Sequence, residues 1–318
     1  MPPFLFRAFR LFPAAMQSSV RRGLGGWLES GTLRGMGYML IATLATAGML
    51  ALVRVASEDL HPHEVAFFRF LFGFCFFLPV IIRGKGAIFR TKRLPLHMLR
   101  GFLNVASMLV FFLAVTMAPL AKVVALKFSA PLFTTVIAVM FLGETIRARR
   151  IIALALGFSG VLVIFEPGGE VWDLGSGLVL ASAAIWSLAM VTIKMLTRTE
   201  SSATTTVYTT MMAVPVAFAF AFPHWQWPSL EQLLWMGGIA ILGTTSHLSF
   251  AQAFKEADVT AVLPLDFTKL IWAAVIGFFA FSEIPSVETW VGGAMICASV
   301  TYIAFRERAR SGKRPTPG

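Results

Sequence analysis

Ten stretches of this chain, at about 34–54, 64–83, 95–116, 121–142, 149–166, 175–195, 204–222, 233–253, 259–281 and 287–305, are dominated by apolar residues and separated by short polar turns. Each is roughly 18–23 residues long, the length an α-helix needs to cross a hydrocarbon layer about 30 Å thick. Lipid offers no hydrogen-bond partners, so a backbone that crosses it must close its bonds within helices or a sealed barrel. Barrel strands need only about 9–11 residues, so these stretches predict an all-α integral membrane protein of ten transmembrane helices.

Charge supports the same reading by its position. The chain has 318 residues, 57% of them hydrophobic and 14% charged, with a net charge of +11. Such a charge on a soluble domain would suggest nucleic acid, but here the cations collect in alternate loops and no nucleic-acid partner is expected. With the N-terminus placed inside, the inner loops and tails hold Arg83, Lys85, Arg90, Arg93, Arg147, Arg149, Arg150, Lys194, Arg198, Lys255, Arg306 and Arg310. The outer loops hold Lys122 and collect Glu58, Asp59, Glu64, Glu166, Glu170, Asp173, Glu231, Glu283 and Glu288. Lys and Arg are retained on the cytoplasmic side, which predicts that both termini are cytoplasmic. Residues 1–33 read as a basic cytoplasmic segment, interfacial or disordered, and 306–318 as a solvated cytoplasmic tail. Trp225 and Trp227, between Pro223 and Pro228, are read at headgroup level. Cys75 and Cys297 both fall in apolar stretches and form neither a zinc spacing nor a disulfide framework.

The chain repeats itself. Sliding it by the Glu144-to-Glu283 offset aligns Ser107 with Ser246, Phe111 with Phe250, Ala118 with Ala257, Lys127 with Asp266 and Phe128 with Phe267. A shift one residue longer brings Gly35-x-Gly37 onto Gly175-x-Gly177 and Arg54 onto Lys194. The halves, 34–166 and 175–305, hold five stretches each. An odd number forces the second half to enter the membrane upside down, giving two inverted five-helix repeats, an arrangement that suits transport by alternating access.

Gly143-Glu144 at the end of the fourth stretch, Gly157-x-x-Gly160 followed by Glu166-Pro167-Gly168, and the segments His61-Pro62-His63-Glu64-Val65-Ala66-Phe67-Phe68-Arg69-Phe70 and Ala130-Pro131-Leu132-Phe133-Thr134 resemble the EamA-type drug/metabolite transporters. The resemblance covers about 34–305. It implies a ten-helix carrier in a bacterial inner membrane that moves a small organic metabolite, often an amino acid or related amphiphile. The second half departs from the pattern with Ser282-Glu283 and with Ile296 opposite Gly157, which implies different packing of its helix ends.

Ionisable residues at membrane depth are expensive and point to function. Asp266 and Lys269 lie one turn apart on the ninth stretch; they either bind substrate or neutralise each other. His247 lies at a depth similar to Asp266 on the antiparallel eighth stretch. A contact between them would carry a proton, and a structural histidine is the other reading. Lys127 precedes Pro131, which removes the helical partner of the Lys127 carbonyl; a ligand site, a hinge, or a lysine reaching out to the interface all fit. Pro264 similarly loosens the chain before Asp266. Arg69 either grips a substrate carboxylate or reaches to the headgroups. Arg54 and Lys194 read as interface anchors. Asn104, Trp186, Trp272 and Tyr38 are candidate walls of a binding cavity.

These residues predict a secondary transporter of a small amphiphilic metabolite. A multidrug exporter is the alternative. A membrane-embedded enzyme is the weaker one, because His61, His63, His97, His224 and His247 are scattered and no nucleophile lies beside a base. A polar stripe along a channel pore is not visible either. No cofactor or metal is expected. The partners are the substrate and the bilayer, with coupling to protons or a counter-metabolite and the oligomeric state left open.

Overall fold

The computed structural model describes residues 31–83, 91, 93–142, 148–165, 174–196, 200, 202–257 and 259–311. The basic segment before residue 31, Gly143-Glu144, Glu166-Pro167-Gly168 and the last residues of the tail lie outside them. The helices are α1 (Gly31–Asp59), α2 (Pro62–Arg83), α3 (Leu94–Met117), α4 (Leu120–Lys127), α5 (Ala130–Leu142), α6 (Ala148–Phe165), α7 (Leu174–Leu196), α8 (Ser202–Ala221), α9 (Leu230–Glu256), α10 (Val259–Asp266), α11 (Thr268–Phe281) and α12 (Val287–Ser311). A helix occupies each apolar stretch, with α4 and α5 sharing the fourth and α10 and α11 the ninth. Among the described residues, seven helical segments are long and apolar enough to cross a membrane.

Local signals set the helix ends. Ser229 opens α9 with a capping box: its hydroxyl accepts from Gln232 N–H, and Gln232 Oε1 accepts from Ser229 N–H. At the end of α11, Ser282 adopts φ 55°, and the Glu283 N–H donates back to the Gly277 carbonyl, a left-handed close that usually falls to glycine.

The protein is apolar outside and hydroxyl-rich inside. Ile152, Ile241 and Phe279 are 69%, 68% and 81% exposed, whereas Thr43, Ser129, Ser182 and Ser187 are fully buried. That distribution suits a lipid solvent and would be unstable in water.

The halves are interleaved. α1 packs along α9 and its counterpart α7 along α3; α2 packs on α8, and α6 on α12. The contacts repeat residue by residue. Gly35 lies so close to Ala257 that a Cβ would sit 2.4 Å from the alanine methyl, and a Cβ on Gly175 would sit 3.0 Å from that of Ala118. Both glycines and both alanines are the pairs aligned by the sequence offsets. Likewise Ser246 bonds Thr46 at 2.6 Å, while its counterpart Ser107 donates to the Ser182 carbonyl at 2.9 Å. Between α6 and α12 the backbones meet at Gly160 and Gly292, where a Cβ on Gly292 would lie 2.4 Å from the Gly160 carbonyl oxygen. Small residues permit this approach. Of the departures noted in the second half, Ile296 is buried beside Gly160, while a Cβ on its counterpart Gly157 would meet Leu132 and Ser299; Gly143-Glu144, the counterpart of Ser282-Glu283, lies outside the described residues.

One end of the bundle carries Asp59, Glu231, Glu283 and Glu288, and the other Arg34, Arg93 and Lys255; they are the acidic and basic ends below. At the acidic end His61 stacks on His224 with centroids 3.9 Å apart, and His63 meets His61 edge-on at 4.6 Å. Glu64 is buried beneath and accepts from the Gln226 N–H at 3.3 Å. Trp225, half-buried at this end, packs on Phe67, Phe68 and Phe218, while Trp227 is 88% exposed.

Two predictions follow from these ends. A non-glycine residue in the left-handed region costs about 1 kcal/mol, so Ser282→Gly should raise the melting temperature by roughly 2 °C; a fall would show that the Ser282 side chain is needed there. Burial, with help from the charges of His63 and His224, pushes His61 down from 6.5 to about 4. A depressed base binds fewer protons folded than unfolded, so its contribution is complete above pH 6.5 and is lost as pH falls towards 4. His61→Phe keeps the stack and removes the titration; its melting temperature should fall less steeply than the parent's across that window.

Candidate functional site

The fourth and ninth apolar stretches are both broken in mid-course, at equivalent places. In the fourth, Pro131 has no N–H to give the Lys127 carbonyl, and the chain passes through Phe128 and Ser129 before α5 begins. Ser187 on α7 steadies the restart by donating to the Ala130 carbonyl at 2.7 Å. In the ninth, Pro264 weakens α10, Phe267 stands between α10 and α11, and the Thr268 hydroxyl donates to the Leu265 carbonyl at 2.7 Å. Irregular backbone at this depth is tolerable only where protein or a water-filled interior surrounds it. The two breaks meet: the rings of Phe128 and Phe267, counterparts in the repeat, contact edge-to-face with centroids 4.7 Å apart.

Cations surround this contact. Lys127 does not reach out to the interface. Its ammonium turns inward, donating to Ser182 Oγ at 2.6 Å and lying 4.5 Å from the ring centre of Phe111. Lys269 pairs with Asp266 at 2.5 Å, and its ammonium lies 5.8 Å from the ring centre of Phe128 and 5.7 Å from that of Phe250. Phe111 and Phe250 are again counterparts, so each half presents an aromatic ring capped by a lysine. Lysine over a ring face is held by the ring quadrupole.

Arg69 also points inward rather than to the headgroups. It lies against α9, where Gly243 leaves it room: a Cβ there would sit 3.1 Å from one guanidinium nitrogen. It lies 3.5 Å from His247 Nε2 and flanks the ring of Phe70, while its Nε is buried without an acceptor. His247 faces Arg69 across the contact between α2 and α9. The expected contact between His247 and Asp266 does not form: histidine is taken by Arg69 and the carboxylate by Lys269. Trp272 on α11 is half-buried, with its indole N–H unpartnered. Asn104 on α3 and Trp186 on α7 are half-buried and stand apart from these contacts.

Arg54 is no interface anchor. It forms an ion pair with Glu283 and lies over the Phe281 ring at 4.8 Å; Glu283 also accepts from the Leu120 N–H at 2.9 Å. Three elements, α1, the start of α4 and the end of α11, are clasped at the acidic end by one carboxylate. Gly277 makes room for it, since a Cβ there would lie 3.0 Å from Glu283 Oε2. A second polar cluster unread from sequence lies near the basic end. Arg100 donates to the Thr205 carbonyl and Thr209 hydroxyl, and buried His97 stacks on Tyr208, 4.0 Å from Glu200. Ser182 was missed as well, because a serine in an apolar helix carries no signal until its neighbours are known. Glu283 had one: it repeats Glu144. Among the described residues no three His, Cys, Asp or Glu are grouped to hold a metal.

Comparison with known proteins places the chain in a family. The EamA-like transporter family model matches residues 33–166 and 173–305. An S-adenosylmethionine uptake transporter of Rickettsia felis is 30% identical over 279 residues, 87% of this chain and 94% of its own. A riboflavin transporter of Vibrio cholerae is 29% identical over 285 residues, 88% of this chain and 95% of its own. One solved crystal structure superposes with a TM-score of 0.57 at 18% identity, covering 88% of this chain and 98% of that one, a likeness of fold. The family and these relatives are membrane transporters of small molecules, not enzymes. With both halves matched by the family model, this chain belongs to the EamA-like transporter family.

Proposed function

We propose that this transporter carries a small amphiphilic metabolite by alternating access, with two inverted five-helix repeats moving about the Phe128–Phe267 contact. The observation that carries this reading is the pairing of equivalent breaks, at 128–129 and at 267, each beside a lysine and an aromatic ring. A carrier needs two conformations of similar energy. Two interleaved halves provide them if each can adopt the arrangement now held by the other. The clasp of Arg54 on Glu283 closes the acidic end in this state. By the retention of Lys and Arg inside, the basic end faces the cytoplasm, and both termini with it.

The relatives named for S-adenosylmethionine and riboflavin suggest the cargo class: a flat ring joined to a polar arm, within which an amino acid or its derivative also falls. Lys127, Lys269 with Asp266, Arg69, His247 and Trp272 supply polar contacts, and the four phenylalanines supply ring faces. Asn104 and Trp186 are left as outer walls. His247 beside Arg69 is the remaining candidate for proton coupling.

Two experiments test the reading. If the Arg54–Glu283 clasp must open in each cycle, a short bifunctional cross-link between Arg54→Cys and Glu283→Cys, in a background lacking Cys75 and Cys297, should stop substrate movement in proteoliposomes. Undiminished transport in the cross-linked protein would overturn alternating access through that end. For the ion pair, Asp266→Asn or Lys269→Gln should abolish transport with little change in melting temperature. A purely structural pair behaves differently: each single change strands a charge and destabilises by about 3–5 kcal/mol, and Asp266→Leu with Lys269→Leu restores transport. Recovery in that apolar double variant would remove the pair from the mechanism.

A further inference from the structure

The charges around the two breaks do not balance. Among the described residues the interior holds the cations Arg69, Lys127 and Lys269 and the single carboxylate Asp266, which Lys269 already takes. Lys127 is met by a hydroxyl and a ring face, and Arg69 by an imidazole and a ring face. Neither is a counter-charge. Glu64, on the same helix as Arg69, sits at the acidic end, where one carboxylate oxygen accepts from the Gln226 N–H and the other is buried without a partner, and Glu283 is held by Arg54 and Leu120. Two buried donors, Arg69 Nε and Trp272 Nε1, have no acceptor. Donors left unmet in a low-dielectric interior are a standing free-energy cost, and a ligand carrying acceptor oxygens and negative charge relieves it. Aromatic rings accompany the lysines: Lys127 lies over Phe111, Lys269 lies near Phe128 and Phe250, and Phe128 meets Phe267, so a solute that displaces these cations meets ring faces beside them.

From this we infer that the interior is built for a ring-bearing organic anion and discriminates against net cations. The inference rests on the reading of this interior as the transport site. It divides the chemistry of the named relatives: S-adenosylmethionine carries a sulfonium and an ammonium against one carboxylate, so the same cations that attract a phosphate or carboxylate repel it.

Two matched ligand pairs test it on the purified full-length protein, by thermal shift and by uptake into proteoliposomes. Riboflavin and riboflavin 5′-phosphate share a ring and differ in an anionic group. S-adenosylmethionine and S-adenosylhomocysteine share a skeleton and differ in the sulfonium charge. The phosphate compound should bind at least about tenfold more tightly than riboflavin, as a charge-assisted contact allows, and the homocysteine compound more tightly than the sulfonium. Arg69→Gln should weaken the phosphate compound more than riboflavin and so bring the first ratio close to one. Should that variant fail to fold, raising ionic strength on the parent protein should weaken the phosphate compound and spare riboflavin. Equal binding within the riboflavin pair, or preference for the sulfonium, overturns the inference and leaves the carrier reading standing. If none of the four binds or enters, the interior is not a site for such ligands, and the reading falls together with the inference.

Discussion

A hydrocarbon layer cannot hydrogen-bond, and most of this architecture follows from that one constraint. Each polar group of the backbone must be met inside the protein, so the chain crosses as helices and any break in a helix has to be buried. The breaks after Lys127 and Asp266 obey this. Ser187 and Thr268 hydroxyls donate to the neighbouring Ala130 and Leu265 carbonyls, and the phenylalanines of the two breaks meet each other. A break placed on the outer surface would leave bare carbonyls in the membrane. Placing the two against each other brings loosened backbone, a lysine and aromatic rings together, which is why the proposed transport site is put there.

Interleaving of the halves follows from the same economy of contact. Lipid tails are as apolar as leucine, so helices in a membrane gain little from burying apolar area and rely on close packing and hydroxyl bonds. Gly35 on Ala257 and Gly175 on Ala118 are such contacts, as are Ser246 with Thr46 and Ser107 with Ser182. Because each joins one half to the other, neither half is a self-contained unit that could drift independently. Thin, smooth contacts of small residues permit sliding more readily than interdigitated large ones, as the proposed alternating access would require.

Much of the fold was legible because hydropathy and charge report directly on the solvent around each residue. Ten apolar stretches each contain helix, and the glycines and alanines that align when the chain is slid make equivalent contacts, Gly35 on Ala257 and Gly175 on Ala118. The breaks were legible from Pro131 and Pro264. The site was less so. Sequence offset aligned Phe111 with Phe250 and Phe128 with Phe267, yet apolar identities in a chain this apolar carry little information, and their roles appear only when Lys127 and Lys269 are seen above the rings. Depth along two neighbouring helices suggested His247 with Asp266, but depth does not fix rotation about a helix axis. Lys269, one turn from Asp266, takes the carboxylate first, and Gly243 opens a berth that brings Arg69 to the histidine. Arg54 was misread for the same reason: its partner Glu283 lies far off in sequence, across the interface between the halves.

The choice of partners for the buried cations has a consequence for turnover. A carboxylate opposite Lys127 would neutralise it well and hold it fast, since separating a buried ion pair leaves two stranded charges. A serine hydroxyl and a ring face hold it more weakly. Arg69, met by an imidazole and a ring, is held in the same provisional way. On the proposed carrier reading, partners of this kind keep a cation folded inward and still yield to a solute, whereas the clasp of Arg54 on Glu283, away from the centre, would hold a gate. The gradation from ion pair at the acidic end to hydroxyl and ring at the breaks would then separate what fixes the conformation from what yields to cargo, with side chains drawn from both halves.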